Sequence, residues 1–102
     1  MTLNQETKQK IKRQIVSTLS QEREVQRIVI FGSFLTSPAP HDLDVAVFQE
    51  SSEGYLALAL KYRRLVRDVA RLIPLDIIPL KACVTDGAFL AEIEKGEVVY
   101  ER

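Results

Sequence analysis

The sequence predicts an α+β domain: a small mixed sheet of three to four strands flanked by helices, in the order αββαβαβ. Three observations predict it. Apolar residues at helical spacing alternate along the chain with short β-branched runs. Gly-Ser and Pro-rich breaks separate those runs. A length of 102 residues suits one hydrophobic core and one domain, spanning residues 1–102.

The first helix is expected over about residues 3–22. Leu3, Ile11, Ile15 and Leu19 form one stripe with Val16 beside it, and Lys8, Lys10, Lys12 and Arg13 fill the other, solvated faces. Val25 to Phe31 ends in Ile28-Val29-Ile30-Phe31, a run too short for a helix and read as a strand buried on both faces. Gly32-Ser33 stops it, and Thr36-Ser37-Pro38-Ala39-Pro40-His41 is a loop because two prolines deny it regular hydrogen bonding. Asp42 to Phe48 alternates as a second strand. The connection is too short for a parallel crossover helix, so the first two strands are expected to be antiparallel. Ser51-Ser52 offers a cap for a helix over about residues 53–72, whose apolar face is read as Leu56, Leu60, Leu65, Val66, Val69 and Leu72. Leu75-Asp76-Ile77-Ile78 follows Pro74 as a third strand. Asp86 can cap a helix from Gly87 to Lys95, Gly96 sits where a left-handed terminator belongs, and Val98-Val99-Tyr100 adds a short last strand.

Lys plus Arg and Asp plus Glu number 14 each, so the chain has no general attraction to nucleic acid or to anionic membrane. No apolar run approaches the roughly 20 residues that span a bilayer, and the polar N-terminal stretch lacks a signal-peptide core. Cys83 is the single cysteine; it excludes an internal disulfide and a cysteine-rich zinc module, fits a reducing cytoplasm, and reads as a small apolar residue.

Three aspartates stand out. Asp44 lies inside an apolar strand, Asp42 two residues earlier projects from the same face, and Asp76 interrupts the apolar run Ile73 to Leu80. Burying a lone carboxylate costs several kcal/mol unless it is paired or binds a cation. If their strands are neighbours, the three converge, and magnesium relieves their repulsion because it prefers oxygen ligands. Each also has a plainer reading: Asp42 as a turn residue, Asp44 on a solvated face, Asp76 paired with Arg63, Arg64, Arg67 or Arg71. Ahead of them, Gly32 allows a sharp turn and close approach of a phosphate, and Ser33 adds a hydroxyl where a helical turn from Phe34 would begin.

The order strand, Gly32-Ser33, loop, Asp42-Leu43-Asp44-Val45, helix, Leu75-Asp76-Ile77 resembles the DNA polymerase β-like nucleotidyltransferase superfamily. Length and single domain resemble its minimal members, the MNT antitoxins often encoded beside HEPN-domain toxins. Phe89 to Tyr100 resembles the end of that group, so the likeness covers residues from about 10 to 100. It implies that Gly32 and Ser33 hold the nucleotide's triphosphate. Asp42, Asp44 and Asp76 would be the catalytic carboxylates and bind two Mg2+ or Mn2+ ions, Asp76 completing one metal site and helping to activate the acceptor. It implies transfer of an NMP, AMP from ATP in the first instance, onto a hydroxyl of a HEPN-domain partner, with homo- or hetero-oligomers allowed. The chain departs from the family's pattern after Gly-Ser. Where many members carry Arg or another polar residue, Phe34-Leu35-Thr36-Ser37-Pro38 follows, and His41 is the one basic side chain before Asp42. His41 could contact phosphate or be a solvated loop residue. Two other functions fit the residues: a catalytically weak module that neutralises a partner by contact, and a transferase acting on a small molecule.

Overall fold

Two layers of helix sandwich one sheet in the computed structural model, which describes residues 2–83 and 87–102. The element order is α1 (Gln5–Leu19), β1 (Val25–Phe31), α2 (Ser33–Thr36), β2 (Leu43–Gln49), α3 (Tyr55–Leu65), α4 (Arg67–Ala70), β3 (Leu75–Lys81), α5 (Ala88–Glu94) and β4 (Glu97–Glu101). The expected α+β architecture with a four-stranded mixed sheet is therefore present. Strand order is β3-β2-β1-β4; β2 and β4 run antiparallel to β1, and β3 runs parallel to β2. A parallel neighbour needs a crossover, and α3 with α4 supplies it. Pro79 lies in β3, an edge strand, where a missing ladder donor is tolerated.

Alternation along the strands divides the core. Leu43, Val45 and Val47 of β2, Leu75 and Ile77 of β3, and Ile28 and Ile30 of β1 join the α1 stripe Ile11, Ile15 and Leu19 in one cluster. The opposite face carries Val29, Phe31, Ala46 and Phe48, covered by Leu90 and Ile93 of α5, with Ile78 and Leu80 half-buried beside them. Helix α1 is shorter than the expected residues 3–22 and is capped by Asn4, whose side chain accepts from the Thr7 N–H at 2.8 Å.

Several expectations are corrected. The helix read over residues 53–72 is broken at Val66, whose φ of −109° and ψ of 27° leave the helical region. Its buried face is Leu58, Tyr62, Val66 and Val69, while Leu56, Leu60, Leu65 and Leu72 are exposed. Tyr62 decides that register. Its ring is fully buried, and its hydroxyl donates to Glu24 Oε2 at 2.7 Å, which also accepts from Lys61 at 2.9 Å. An aromatic with a satisfied polar tip outweighs a leucine in the same slot. Ser51 caps a turn, accepting from the Glu53 N–H at 3.0 Å, and Gly54 precedes α3. Lys8 is buried, its ammonium donating to the Ser37 carbonyl at 2.7 Å and lying over the Phe34 ring. Cys83 is exposed. The Asp86 cap falls outside the described residues. Gly96 does not have a positive φ; glycine is needed there because a Cβ would run into the Ile30 carbonyl and lie 2.8 Å from Phe31 Cβ. Among the described residues no helix is long and apolar enough to cross a membrane.

Glu24 joins α3 to the start of β1. Burial alone would raise its pKa, but the donors Lys61 and Tyr62 hold it below the ordinary carboxylate value. The folded state thus binds that proton less tightly than the unfolded chain. The stabilisation is present above pH 4.5 and is lost as pH falls through the lower folded value. Glu24→Gln is expected to lower stability by about 1–3 kcal/mol at pH 7. The difference from wild type should shrink on acidification in parallel melts; a constant difference from pH 7 to pH 3 would show that the charge contributes nothing.

Candidate metal and nucleotide site

The three aspartates meet because of strand register. In the parallel β2–β3 pair Asp44 lies opposite Asp76, and Phe31 of β1 lies opposite Asp44 on the other side. Even-numbered residues of β2 and β3 share one face, so Asp44 and Asp76 point to the side covered by α5. Asp42 lies one residue before β2 rather than within it, a small shift from the expected strand start. One carboxylate oxygen from each of Asp42, Asp44 and Asp76 lies within 4.8 Å of the others.

Their burial differs. Asp42 and Asp44 are half-buried and Asp76 is exposed, so the expected burial of all three is corrected. The reason is the edge position of β3 together with a seven-residue α5 that reaches Val29, Phe31 and Phe48 but leaves this end of the face open. No ion pair joins Asp76 to Arg63, Arg64, Arg67 or Arg71 among the described residues; Arg71 pairs with Asp68 at 3.4 Å. The pairing explanation of Asp76 therefore has no support in the geometry. Asp44 carries the strain: partial burial and then the charges of Asp42 and Asp76 push its pKa up.

Gly32 shapes the other wall. Its φ of 83° is open to glycine, and a Cβ there would lie 2.6 Å from Asp44 Oδ2. The chain then enters α2, with Ser33 as its first residue and Phe34 fully buried. The apolar residues after Gly-Ser thus serve packing: Phe34 anchors the loop in the core, and Lys8 secures its far end at Ser37. His41 is exposed.

Gly32 and Asp44 open into one cavity of about 400 Å3, lined also by Phe31, Leu35, Thr36, Glu92, Lys95 and Gly96. Sequence reasoning did not single out Glu92 or Lys95. Glu92 lies on α5 and Lys95 at its C-terminal cap, far along the chain, and only the packing of α5 and β4 against β1 brings them here. The donor set suits a hard divalent cation: all oxygen, three carboxylates, mutual repulsion awaiting a counter-charge, and an open side for further ligands.

Comparison with known proteins agrees with this geometry. The family model "Polymerase beta, Nucleotidyltransferase" matches residues 13–102. The chain belongs to the polymerase β-type nucleotidyltransferase family. Among solved structures it is similar to a chain of the tri-AMPylated Shewanella oneidensis HEPN toxin in complex with MNT antitoxin. The TM-score is 0.69 at 18% identity, covering 93% of this chain and 73% of that one. At that identity the likeness shows a shared fold. A search of curated proteins finds no match.

The strain at Asp44 gives a measurable consequence. Folded Asp44 holds its proton more tightly than the unfolded chain does, so its penalty appears as pH rises above 3.8 and grows through the higher folded value. Asp44→Asn is therefore expected to raise the melting temperature in EDTA at pH 7. The gain should be at most about 1 kcal/mol after solvent screening, or about 4–8 °C at this chain length. It should vanish below pH 3.8. A lower melting temperature at pH 7 would show that Asp44 is a net structural group.

Proposed function

We propose that this chain is a metal-dependent nucleotidyltransferase that moves an NMP, AMP from ATP in the first instance, onto a hydroxyl of a HEPN-domain partner and thereby acts as its antitoxin. The observation that carries the reading is the convergence of Asp42, Asp44 and Asp76 within 4.8 Å, beside the Gly32 turn. The tri-AMPylated state of the HEPN toxin in the complex that the fold resembles supports the partner and the nucleotide.

In this reading Asp42 and Asp44 would hold two divalent ions, with Asp76 completing one of the two sites. When bound, such ions lower the barrier by neutralising charge on the phosphates and on the attacking oxygen. The chain's own residues do the rest. Gly32, with no side chain, lets the triphosphate approach the backbone, and Ser33 offers a hydroxyl donor. Asp76, which is exposed, would orient the acceptor hydroxyl and accept its proton. The acceptor oxygen bonds to the α-phosphorus as the bond to pyrophosphate breaks, so positioning and charge balance supply most of the rate.

A second reading, neutralisation of the partner by contact alone, has one observation in its favour. The outer face of α3 exposes Leu56 at 70% and Leu60 at 55% beside Arg63, Arg64 and Arg67. Such an apolar, basic patch suits a protein interface.

Labelled ATP, Mg2+ and a HEPN-domain partner separate the two. The enzyme reading expects AMP adducts on the partner by mass spectrometry, and a rate at least about 100-fold lower for Asp76→Asn with no loss of melting temperature in EDTA. Absence of adducts at high enzyme and metal concentrations, with the partner still neutralised, would establish the contact reading instead.

A further inference from the structure

The loop that should clamp the phosphates carries no lysine or arginine: between Ser33 and Asp42 the one basic side chain is His41. Lys8 lies nearby but is committed, 3% exposed with its ammonium on the Ser37 carbonyl. Lys12 is paired with Glu97 at 2.9 Å. A triphosphate entering the site would meet Asp42, Asp44 and Asp76, and the cavity adds a further carboxylate, Glu92. Lys95 is the one basic side chain among the residues lining that cavity.

We propose that Lys95 contacts the triphosphate of the bound nucleotide, supplying from the end of α5 the cation that the Gly32–Ser33 loop lacks. This rests on the nucleotidyltransferase reading. The backbone at Lys95 is pinned by its neighbour, since Gly96 packs so closely on β1 that a Cβ would strike the Ile30 carbonyl. The side chain itself is free to turn. Its partner is Glu92 at 3.3 Å, with side chains 74% and 66% exposed, and such a surface pair is worth little. An ammonium with three donors matches phosphate oxygens better than the face of a base. Lys95 exchanges this weak pair with Glu92 for the phosphates when they arrive.

Calorimetry with MgATP and with AMP on wild type, Lys95→Gln, Lys95→Arg and Glu92→Gln tests this. Lys95→Gln should bind MgATP about tenfold more weakly, the loss of one charge-assisted contact. AMP binding and the melting temperature should be unchanged. Lys95→Arg should retain most of the affinity, and Glu92→Gln should tighten MgATP. If wild type binds MgATP and Lys95→Gln binds it equally well, the assignment of Lys95 is overturned and the enzyme reading stands. An equal loss for MgATP and AMP would overturn it too, because Lys95 would then act on the nucleoside or the fold. If wild type does not bind MgATP, both fail together.

Discussion

The structure depends on one register: Asp44 of β2 set opposite Asp76 of the parallel strand β3, with Asp42 at the strand's mouth. Any other register would separate these charges or turn one to the opposite face, because side chains alternate with a period of two. The same alternation that sends Leu43, Val45, Leu75 and Ile77 into the core sends Asp44 and Asp76 out of it. Packing of α1, α3 and α4 on one face therefore enforces like-charge crowding on the other. Burial of the apolar set is large enough to outweigh that repulsion, which is only partly desolvated because Asp76 lies at an edge.

The three aspartates lie at the end of the sheet face that α5 does not cover. The seven residues of α5 cover Val29, Phe31 and Phe48 and leave the acidic end open. Two glycines set the approach on either side. Gly32 clears space for the Asp44 carboxylate, and Gly96 lets the end of α5 lie against β1. Both are demands of contact at a few ångströms, and both border the same cavity.

Much of this was legible in the residues. The β-branched run at Ile28–Phe31, the α1 stripe and the Asp42–Asp44 spacing follow from local periodicity, and the antiparallel β1–β2 pair from the length of one connection. What was not legible depends on partners distant in sequence. The α3 face was misread because Leu56 and Leu60 outrank Tyr62 in hydrophobicity, whereas Glu24, 38 residues away, gives Tyr62 its buried partner. Lys8 looked like one of several solvated lysines until Ser37 and Phe34 were placed beneath it. Asp76 looked buried because its neighbours are apolar, and only strand order reveals an edge. Lys95 carries no local signal at all.

The proposed role of Asp42, Asp44 and Asp76 is a divalent-metal site that receives a nucleoside triphosphate. The most direct test is anomalous diffraction from crystals grown with Mn2+ and a non-hydrolysable ATP analogue. Manganese peaks are expected within coordination distance of these carboxylates, two when the analogue is bound, with its phosphates beside Gly32. Analogue bound elsewhere on the molecule, with no manganese at the three aspartates, would contradict it.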